Sequence, residues 1–248
     1  HFILDQAQSF LNLGKRLFSS KQVIPRHVAI IHDGNRRWAR KQGMHVQFGH
    51  YHAGSYTHIQ SLLRAAQRAG VQYLSLWGFS TENWSRPTVE RNAIFSLIQK
   101  SIPFLEEDAH RYHMRFLHVG RKDRLPKGLL RAFGQLERAT ARYTDFTVAL
   151  CLDYGGRDEL VRAVNKMLKS KVKHVTEKTF RQYLDSAQMP DVDLVIRTSG
   201  EHRTSGFMPF QATYAELYFT PTYFPDFSPA EFERALSEYS QRQRRFGS

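Results

Sequence analysis

The chain has 248 residues, enough for one large α/β domain with a sizeable core or for two small domains. Its formal net charge of +13 predicts anionic partners such as nucleic acid, acidic membrane surfaces or phosphorylated metabolites. The single cysteine excludes an internal disulfide framework and a multi-cysteine zinc site. The sequence contains no apolar run of the roughly 20 residues that a spanning helix needs, and no visible signal peptide, so we expect a cytoplasmic protein in a reducing compartment.

Residues 4–18 place apolar side chains at helical spacing on a basic background. This pattern predicts an amphipathic helix that packs on the domain or lies on a membrane. The predicted helix and the connection that ends at Pro25 together form an N-terminal segment, residues 1–26. The predicted domain follows at residues 27–248.

Strand-like and helix-like segments alternate through that domain. Strands are predicted at residues 27–31, 71–77, 114–119, 146–152, 192–196 and 214–219. Helices are predicted at residues 50–69, 90–113, 129–141 and 158–168, after Thr176, and from a capping box at residues 228–231. This alternation predicts a single α/β domain with a central, mostly parallel sheet flanked by helices. Such sheets bind ligands beyond the carboxyl ends of their strands, so the loops that follow strands are the candidate site.

The first of these loops, residues 32–38, combines a carboxylate with glycine and two arginines. Gly34 lets the backbone approach a ligand, and Arg36 and Arg37 add charge-assisted donors for phosphate. Asp33 suits an anion site only if a cation lies between, and Mg²⁺ bridges carboxylates to phosphate oxygens in this way. The alternative is an ordinary Asp-Gly turn that caps a helix.

Two further loops carry polar groups of the same kind. Residues 79–87 offer hydroxyl, amide and arginine side chains beside two aromatic rings, although a capped turn with an aromatic staple would look the same. Residues 197–205 hold two arginines, hydroxyl side chains and a glycine, which suit a second diphosphate. Glu216 interrupts an apolar strand, which is costly unless the carboxylate is paired or binds a metal.

Two anion pockets and two carboxylates are what a reaction between two diphosphate substrates needs. The ordinary nucleotide motifs G-x-x-x-x-G-K-[ST] and G-x-G-x-x-G are absent from the sequence, and so is the D-D-x-x-D motif of trans-type prenyl synthases.

Six segments resemble the cis-prenyltransferases, a family that includes undecaprenyl and dehydrodolichyl diphosphate synthases. They are DGNRRW at 33–38, FGH at 48–50, FSTENW at 79–84, YGGR at 154–157, RTSGEHR at 197–203 and YAELYF at 214–219. The match runs in order from residue 27 to residue 247.

The resemblance implies a domain that encloses a hydrophobic tunnel and pairs as a homodimer. It implies a transferase that condenses isopentenyl diphosphate with an allylic diphosphate, such as farnesyl or geranylgeranyl diphosphate. The products are a Z-polyprenyl diphosphate and diphosphate, and the cofactor is Mg²⁺. The lipid product implies peripheral contact with a membrane, and no nucleic acid is expected as a partner.

The resemblance also assigns roles. Asp33 would be catalytic and hold Mg²⁺, with Glu216 and His202 near the metal. The allylic diphosphate would be bound by Gly34, Asn35, Arg36, Arg37, His50 and Arg86. Asn83 and Ser80 would lie near the reacting carbons, where a proton is removed. The isopentenyl diphosphate would be held by Arg197, Arg203 and Ser205, and by Arg245 and Gly247 from the neighbouring subunit's tail. The wider substrate-binding set includes Trp38, Thr81, Glu82, Trp84 and Thr204.

Four positions depart from the family's common pattern. Val46 stands where many members carry an arginine, Arg36 where bacterial members carry glycine, Asp153 where asparagine precedes Tyr-Gly-Gly-Arg, and His32 where methionine is common. The missing donor at Val46 leaves substrate preference and regiochemistry open.

Three alternatives therefore stand beside the regular condensation. One is a family variant that makes irregular, non-head-to-tail linkages, and another is a catalytically weak partner subunit. Such subunits usually lose the Asp-Gly-Asn loop, which this chain keeps. A basic nucleic-acid-binding protein would need a recognised module, and the sequence contains none.

Product length is not fixed by the sequence. Gly78 suits an open tunnel, Pro103 is expected to kink its helix, and Phe95 and Phe104 are expected to narrow the lumen.

Overall fold

Apolar runs of four to nine residues build the central sheet. The computed structural model describes residues 23–242, so the predicted helix at 4–18 and the tail residues Arg245 and Gly247 lie outside the described residues. The strands are His27–Ile31 (β1), Tyr73–Ser80 (β2), Met114–Val119 (β3), Phe146–Tyr154 (β4), Leu194–Arg197 (β5) and Glu216–Phe219 (β6). All the pairings among these six strands are parallel, in the order β3-β4-β2-β1-β5-β6.

Helices connect the strands and cover the sheet. The α-helices of the described part are Asn35–Lys41 (α1), Val46–Ala53 (α2), Tyr56–Ala69 (α3), Thr88–Tyr112 (α4), Lys127–Thr140 (α5), Gly156–Lys169 (α6), Glu177–Arg181 (α7) and Pro229–Gln241 (α8). Short 3-10 helices lie at Thr81–Ser85 and Phe224–Asp226. The predicted α/β fold with a central parallel sheet is confirmed.

Local capping chemistry sets where several of these helices begin. The predicted box at Ser228 forms, with the Ser228 hydroxyl accepting from the Glu231 N–H. The helix predicted over 50–69 is instead two helices, because Ser55 caps a new start and accepts from the His58 N–H. α4 runs through Pro103 as one 25-residue helix.

β1 is the centre of the sheet and is buried along its whole length. Val28 and Ile30 pack into the apolar core on one face, and Ala29 and Ile31 pack into the core on the other. This alternation follows from the two-residue period of a strand, and burial on both faces explains the unbroken apolar run.

The strand order places the candidate loops together. β1 has β2 on one side and β5 on the other, and Ile31 is level with Trp77 and Arg197. The strand order therefore reverses beside β1, with β2, β3 and β4 on one side of it and β5 and β6 on the other. Open parallel sheets bind ligands at such a reversal point, beyond the carboxyl ends of their strands.

The thiol of Cys151 and the lengths of the helices bear on two predictions from the sequence. Cys151 is a buried strand residue with a free thiol, as predicted, and burial raises the pKa of that thiol well above its ordinary value. Within residues 23–242, none of the helices has the length and apolar character needed to cross a membrane.

Candidate active site

A cavity of about 290 Å³ opens at the carboxyl ends of β1, β2 and β5. Its polar wall comes from the loops after strands and from the helix that follows the first loop, and includes Asp33, Asn35, His50, Ser80, Asn83, Arg86, Arg197 and Ser205. Its apolar wall comes mainly from β2, β4 and α4, and includes Leu76, Leu150, Leu152, Ile94, Leu97, Ile98 and Leu105. A ligand with a charged end and an apolar body matches this lining.

Asp33 lies at the polar end of the cavity and is bound from two sides. Its Oδ2 accepts from Arg197 Nη2 at 2.9 Å, and its Oδ1 accepts from the Gly34 N–H at 2.7 Å. Burial alone would raise the pKa of Asp33, but the hydrogen bond and charge of Arg197, the Gly34 N–H and the charge of Arg37 lower it below its ordinary value. The carboxylate is therefore ionised at neutral pH.

Gly34 is the residue that lets the first loop turn towards the cavity. Its φ of 98° is left-handed, and an added Cβ would lie 2.6 Å from the Tyr223 ring. Both the backbone conformation and the close approach exclude a larger residue. The alternative predicted from the sequence was an Asp-Gly turn that caps a helix; Gly34 is the N-cap of α1, but no side chain caps that helix, and the Asp33 carboxylate binds Arg197 instead.

Arg197 joins the first and third loops. It is buried, and besides Asp33 it donates to the Ser205 hydroxyl at 2.7 Å and to the Arg203 carbonyl at 2.6 Å. The two anion pockets predicted from the sequence are therefore parts of one connected polar wall. The Arg203 side chain is exposed and pairs with Glu201.

Arg37 makes a second link between the same loops. Its guanidinium donates to the Ser199 hydroxyl at 2.6 Å and lies 3.2 Å from Glu201 and 3.4 Å from Asp33. The hydrogen bond and charge of Arg203 lower the pKa of Glu201. Glu201 lies inside the RTSGEHR segment but was not among the predicted site residues.

Glu90 lies among three of the side chains predicted to bind the allylic diphosphate. This buried carboxylate lies 3.0 Å from His50 Nε2, 3.3 Å from Arg86 Nη1 and 3.9 Å from Arg36 Nε. Burial, together with the charge of Arg86, lowers the pKa of His50 against the opposing effect of Glu90. Glu90 was not predicted from the sequence; the available signal was an arginine four residues before it, Arg86, which lies just ahead of α4.

The second loop forms a turn of 3-10 helix that presents two of its predicted residues. Ser80 and Asn83 line the cavity, and the Asn83 side-chain oxygen accepts from the Ser80 N–H at 3.1 Å. Thr81, Glu82 and Trp84 are not among the lining residues; the first two share a hydrogen bond of 3.1 Å.

Three predicted residues contact protein groups away from the cavity lining. Trp38 is buried and its indole donates to Asp226 at 2.9 Å, so the structure gives it a packing role. The exposed His202 packs against the Phe219 ring at a centroid distance of 5.0 Å. Thr204 is half-buried, and its carbonyl accepts from the Phe207 N–H.

Glu216 lies too far down the sheet to share a metal with Asp33 in the same chain. It pairs with Leu194, which is level with Val28, and those positions are three residues before the carboxyl ends of β5 and β1. That is roughly 10 Å along the strands. Its carboxylate instead accepts from Arg242 at 3.1 Å. The predicted metal pair of Asp33 and Glu216 is therefore not formed within one chain.

The donors near the cavity suit a magnesium ion that arrives with its substrate. Within residues 23–242, no cluster of three or more His, Cys, Asp or Glu side chains could hold a metal by itself. Mg²⁺ commonly uses one or two carboxylates and completes its shell with phosphate oxygens and water. An ionised Asp33 beside Arg197 and Arg37, whose charges suit phosphate oxygens, fits that requirement.

The residues expected to control the width of the lumen behave differently from one another. Gly78 lines the cavity, and an added Cβ there would lie 2.8 Å from Leu152. Phe95 does not line the cavity; it packs on Phe79 and Trp84. Phe104 is 52% exposed, so neither phenylalanine narrows the lumen as predicted.

Two of the departures from the family pattern lie near the first loop. His32 lines the cavity and stacks on Phe224 at 3.8 Å, and its Nε2 is buried without a hydrogen-bond partner. Burial lowers its pKa to about 3, so the ring is neutral. Val46 begins α2 and is half-buried.

The fold and this site define an α/β enzyme for substrates that join an anionic, phosphate-like end to an apolar body. Comparison with known proteins identifies the enzyme family. Residues 31–247 match the family model described as putative undecaprenyl diphosphate synthase. An isoprenyl transferase of Aquifex aeolicus is 41% identical over 224 residues, covering 90% of this chain and 96% of the relative. A tritrans,polycis-undecaprenyl-diphosphate synthase (geranylgeranyl-diphosphate specific) of Thermococcus kodakarensis is 39% identical over 232 residues, covering 90% and 87%.

Solved structures agree with that assignment. The lavandulyl diphosphate synthase of Lavandula x intermedia, in complex with dimethylallyl diphosphate, is 33% identical with a TM-score of 0.86, covering 91% of this chain and 99% of that one. A probable undecaprenyl diphosphate synthase of Campylobacter jejuni is 31% identical with a TM-score of 0.75, covering 90% and 99%. The chain belongs to the cis-prenyltransferase family, whose enzymes condense isopentenyl diphosphate with allylic diphosphates.

Proposed function

We propose that this chain is a magnesium-dependent cis-prenyltransferase that lengthens an allylic diphosphate with isopentenyl diphosphate units in the cavity beside β1. The observation that carries the proposal is the hydrogen-bonded pair of Asp33 and Arg197. The pair joins the loops after β1 and β5 at the polar wall of a cavity whose other wall is apolar.

The charged residues of the cavity match the needs of an ionising diphosphate. As the allylic carbon–oxygen bond breaks, negative charge grows on the leaving diphosphate, and fixed cations stabilise it in a site of low dielectric. The cations Arg36 and Arg86 converge on Glu90, which holds them in place before substrate arrives. His50, whose pKa is lowered by burial, lies against the same carboxylate and adds a ring nitrogen rather than a charge. When bound, Mg²⁺ supplies further positive charge to the same diphosphate.

The second substrate would occupy the wall built by the third loop. Arg197 and Ser205 line the cavity, whereas Arg203, on the same loop, is exposed and is not among the lining residues. This arrangement brings the isopentenyl double bond towards the carbocation-like allylic carbon. Ser80 and Asn83 line the same cavity, which supports a role for them in removing the proton after the new bond forms.

A product assay tests the proposal. Purified protein is incubated with isopentenyl diphosphate and, in turn, dimethylallyl, geranyl, farnesyl or geranylgeranyl diphosphate, and the products are resolved by thin-layer and mass analysis. We expect Z-polyprenyl diphosphates that form with Mg²⁺ and do not form with EDTA. Failure to lengthen any of the primers would contradict the proposal.

A homodimer is part of the proposal and is supported by one face of α6. Val161, Val164 and Leu168 are 61%, 47% and 69% exposed and share a helical stripe. An exposed apolar stripe of this kind suits a subunit interface. Val164→Glu should reduce the dimer fraction in sedimentation, whereas the matched control Val175→Glu, at a loop valine that is 54% exposed, should not.

A second candidate is the irregular, non-head-to-tail condensation. It is favoured by the likeness to the lavandulyl diphosphate synthase that binds dimethylallyl diphosphate, and by the absence of an arginine at Val46. Incubation with dimethylallyl diphosphate alone separates the two candidates, because regular elongation requires isopentenyl diphosphate. A coupled product from this single substrate would favour the irregular reaction.

Peripheral membrane contact for the lipid product and a cytoplasmic location remain predictions of the sequence. Sedimentation of the protein with vesicles of anionic lipid, before and after removal of residues 1–22, tests the contact.

A further inference from the structure

Trp84 belongs to the turn that carries Ser80 and Asn83 to the cavity, and it is held by groups outside that turn. Its indole N–H donates to Asp153 Oδ1 at 2.8 Å. The guanidinium carbons of Arg91 and Arg124 each lie 5.3 Å from its ring centre. The ring also meets Phe79 edge-on at 5.6 Å. The orientation of this indole therefore depends on charged neighbours as well as on packing.

Asp153 is the centre of these contacts. It lies at the carboxyl end of β4, is 0% exposed, and has a left-handed φ of 50° that aspartate and asparagine tolerate. Arg124, on the connection from β3 to α5, binds both carboxylate oxygens, with Nε 2.9 Å from Oδ2 and Nη2 on Oδ1. A fully buried carboxylate requires such a partner, and this fork-like geometry suits arginine.

We infer that Asp153 and Arg124 are positioning residues for prenyl transfer. They fix Trp84, and through Trp84 they fix the turn that presents Ser80 and Asn83 to the cavity. Neither Asp153 nor Arg124 lines the cavity, so both act through another residue. The inference rests on the proposed function, and it gives a role to the aspartate that stands where asparagine precedes Tyr-Gly-Gly-Arg. An asparagine there could accept the indole hydrogen bond but could not form the ion pair with Arg124.

The indole N–H signals of the protein test the contact without any substrate. The chain has three tryptophans, and each indole donates to a different acceptor: Trp38 to Asp226, Trp77 to the Tyr154 carbonyl and Trp84 to Asp153. In ¹⁵N-tryptophan-labelled protein, Trp84→Phe identifies the Trp84 signal. Asp153→Asn and Arg124→Gln should each shift that signal more than the other two. An unmoved Trp84 signal would overturn the inference.

Steady-state kinetics test the consequence for the reaction. Asp153→Asn should lower kcat about threefold, and Arg124→Gln about tenfold, because the latter leaves a buried carboxylate unpaired. The KM values for both diphosphates should change less than about twofold, since the diphosphate-binding loops are untouched. The double variant should be faster than Arg124→Gln alone, because Asn and Gln form a neutral hydrogen-bonded pair.

Two results would contradict the positioning role. One is a kcat that is unchanged in both single variants. The other is a double variant whose fold-loss in kcat equals the product of the two single-variant losses. Asp185→Asn is the matched control, since both carboxylate oxygens of Asp185 accept from Arg162 of α6, at 2.8 and 2.5 Å. It should lower stability while keeping kcat and the Trp84 signal. If the wild-type protein lengthens no primer, the proposed function fails and the catalytic part of the inference fails with it, whereas an unmoved indole signal refutes the inference alone.

Discussion

Asp33 is the residue on which the predicted chemistry depends most. Asp33→Ala should reduce turnover to less than about a tenth of the wild-type rate, because it removes the ionised carboxylate that suits Mg²⁺. The fold should persist, since the residue lies in a loop with its side chain 30% exposed. Product formation over a Mg²⁺ titration measures turnover, and circular dichroism of the same sample measures whether the fold persists. Retained activity, or loss that follows only from unfolding, would contradict the metal-binding role.

The two arginines of the third loop should differ in effect, which the sequence alone does not predict. Arg203 is exposed and pairs only at the surface with Glu201, so Arg203→Ala should raise the KM for isopentenyl diphosphate about tenfold and leave stability unchanged. Arg197 is buried with three hydrogen-bonded partners, so Arg197→Ala should raise that KM and also lower the melting temperature.

Arg131, an exposed arginine on α5, provides the matched control for charge removal. Arg131→Ala should leave both KM values unchanged. If Arg203→Ala raised the allylic KM more than the isopentenyl KM, the assignment of the two substrates to the two loops would be reversed.

At the scale of elements, alternation and caps predict most of the sheet and helices. Residues 27–31 and 114–119 form strands at the predicted bounds, because an apolar run between polar breakers has few alternatives. β5 and β6 begin two residues later than predicted, at Leu194 and Glu216. The amino end of β5 is set by pairing with β1, and that of β6 by pairing with β5. These are long-range contacts that periodicity does not contain.

Contacts between elements explain what the sequence analysis missed in the site. The carboxylate beside the first loop is Glu201, which Arg37 contacts, whereas the predicted Glu216 is level with Val28 near the amino end of β1. Glu90 was missed for the same reason, since two of its three neighbours, Arg36 and His50, come from other segments of the chain. Spacing along the chain identifies loops, but register across the sheet decides which side chains meet.

The first strand also carries a pH dependence. Burial lowers the pKa of His27 to about 4, against the opposing effects of the Pro190 carbonyl and of Asp193 and Asp191. The unfolded chain takes up this proton near pH 6.5 and the folded chain only near pH 4, so acidification through that window favours unfolding. The contribution of His27 should fall by roughly 3 kcal/mol across the window.

Urea unfolding at pH 7, 5.5 and 4 measures this dependence. His27→Gln can keep hydrogen bonds to Ser75 and to the Pro190 carbonyl, and its free energy of unfolding should fall less steeply with acidification than that of the wild type. The other histidines are common to both proteins, so the difference between the curves isolates His27. Parallel curves would contradict the prediction.

At the scale of the whole molecule, the tail is predicted to complete the site of a second subunit. Arg242 donates to Glu216 and to the Leu217 carbonyl, so a truncation should keep it and remove only residues 243–248. Turnover should fall at least about tenfold, because two charge-assisted or backbone contacts to isopentenyl diphosphate are lost. Dimerisation and the melting temperature should stay unchanged.

Mixing two defective chains provides the control for this prediction. In a dimer of the truncated chain with an Asp33→Ala chain, the truncated subunit keeps its own Asp33 and receives a complete tail. Equal mixing should restore roughly a quarter of the wild-type activity, since half the dimers are mixed and each holds one complete site. No recovery, with subunit exchange demonstrated, would show that the tail does not act across the interface.

The central position of β1 has a consequence for how the chain folds during synthesis. β1 pairs with β2 soon after both leave the ribosome, but its other neighbour, β5, begins 166 residues after the paired position Val28. At typical translation rates this separation corresponds to roughly ten to thirty seconds. During that interval the apolar edge of β1 is open and Asp33 lacks Arg197. Chaperone demand should therefore be greatest before β5 docks, and docking of β5 completes the catalytic edge.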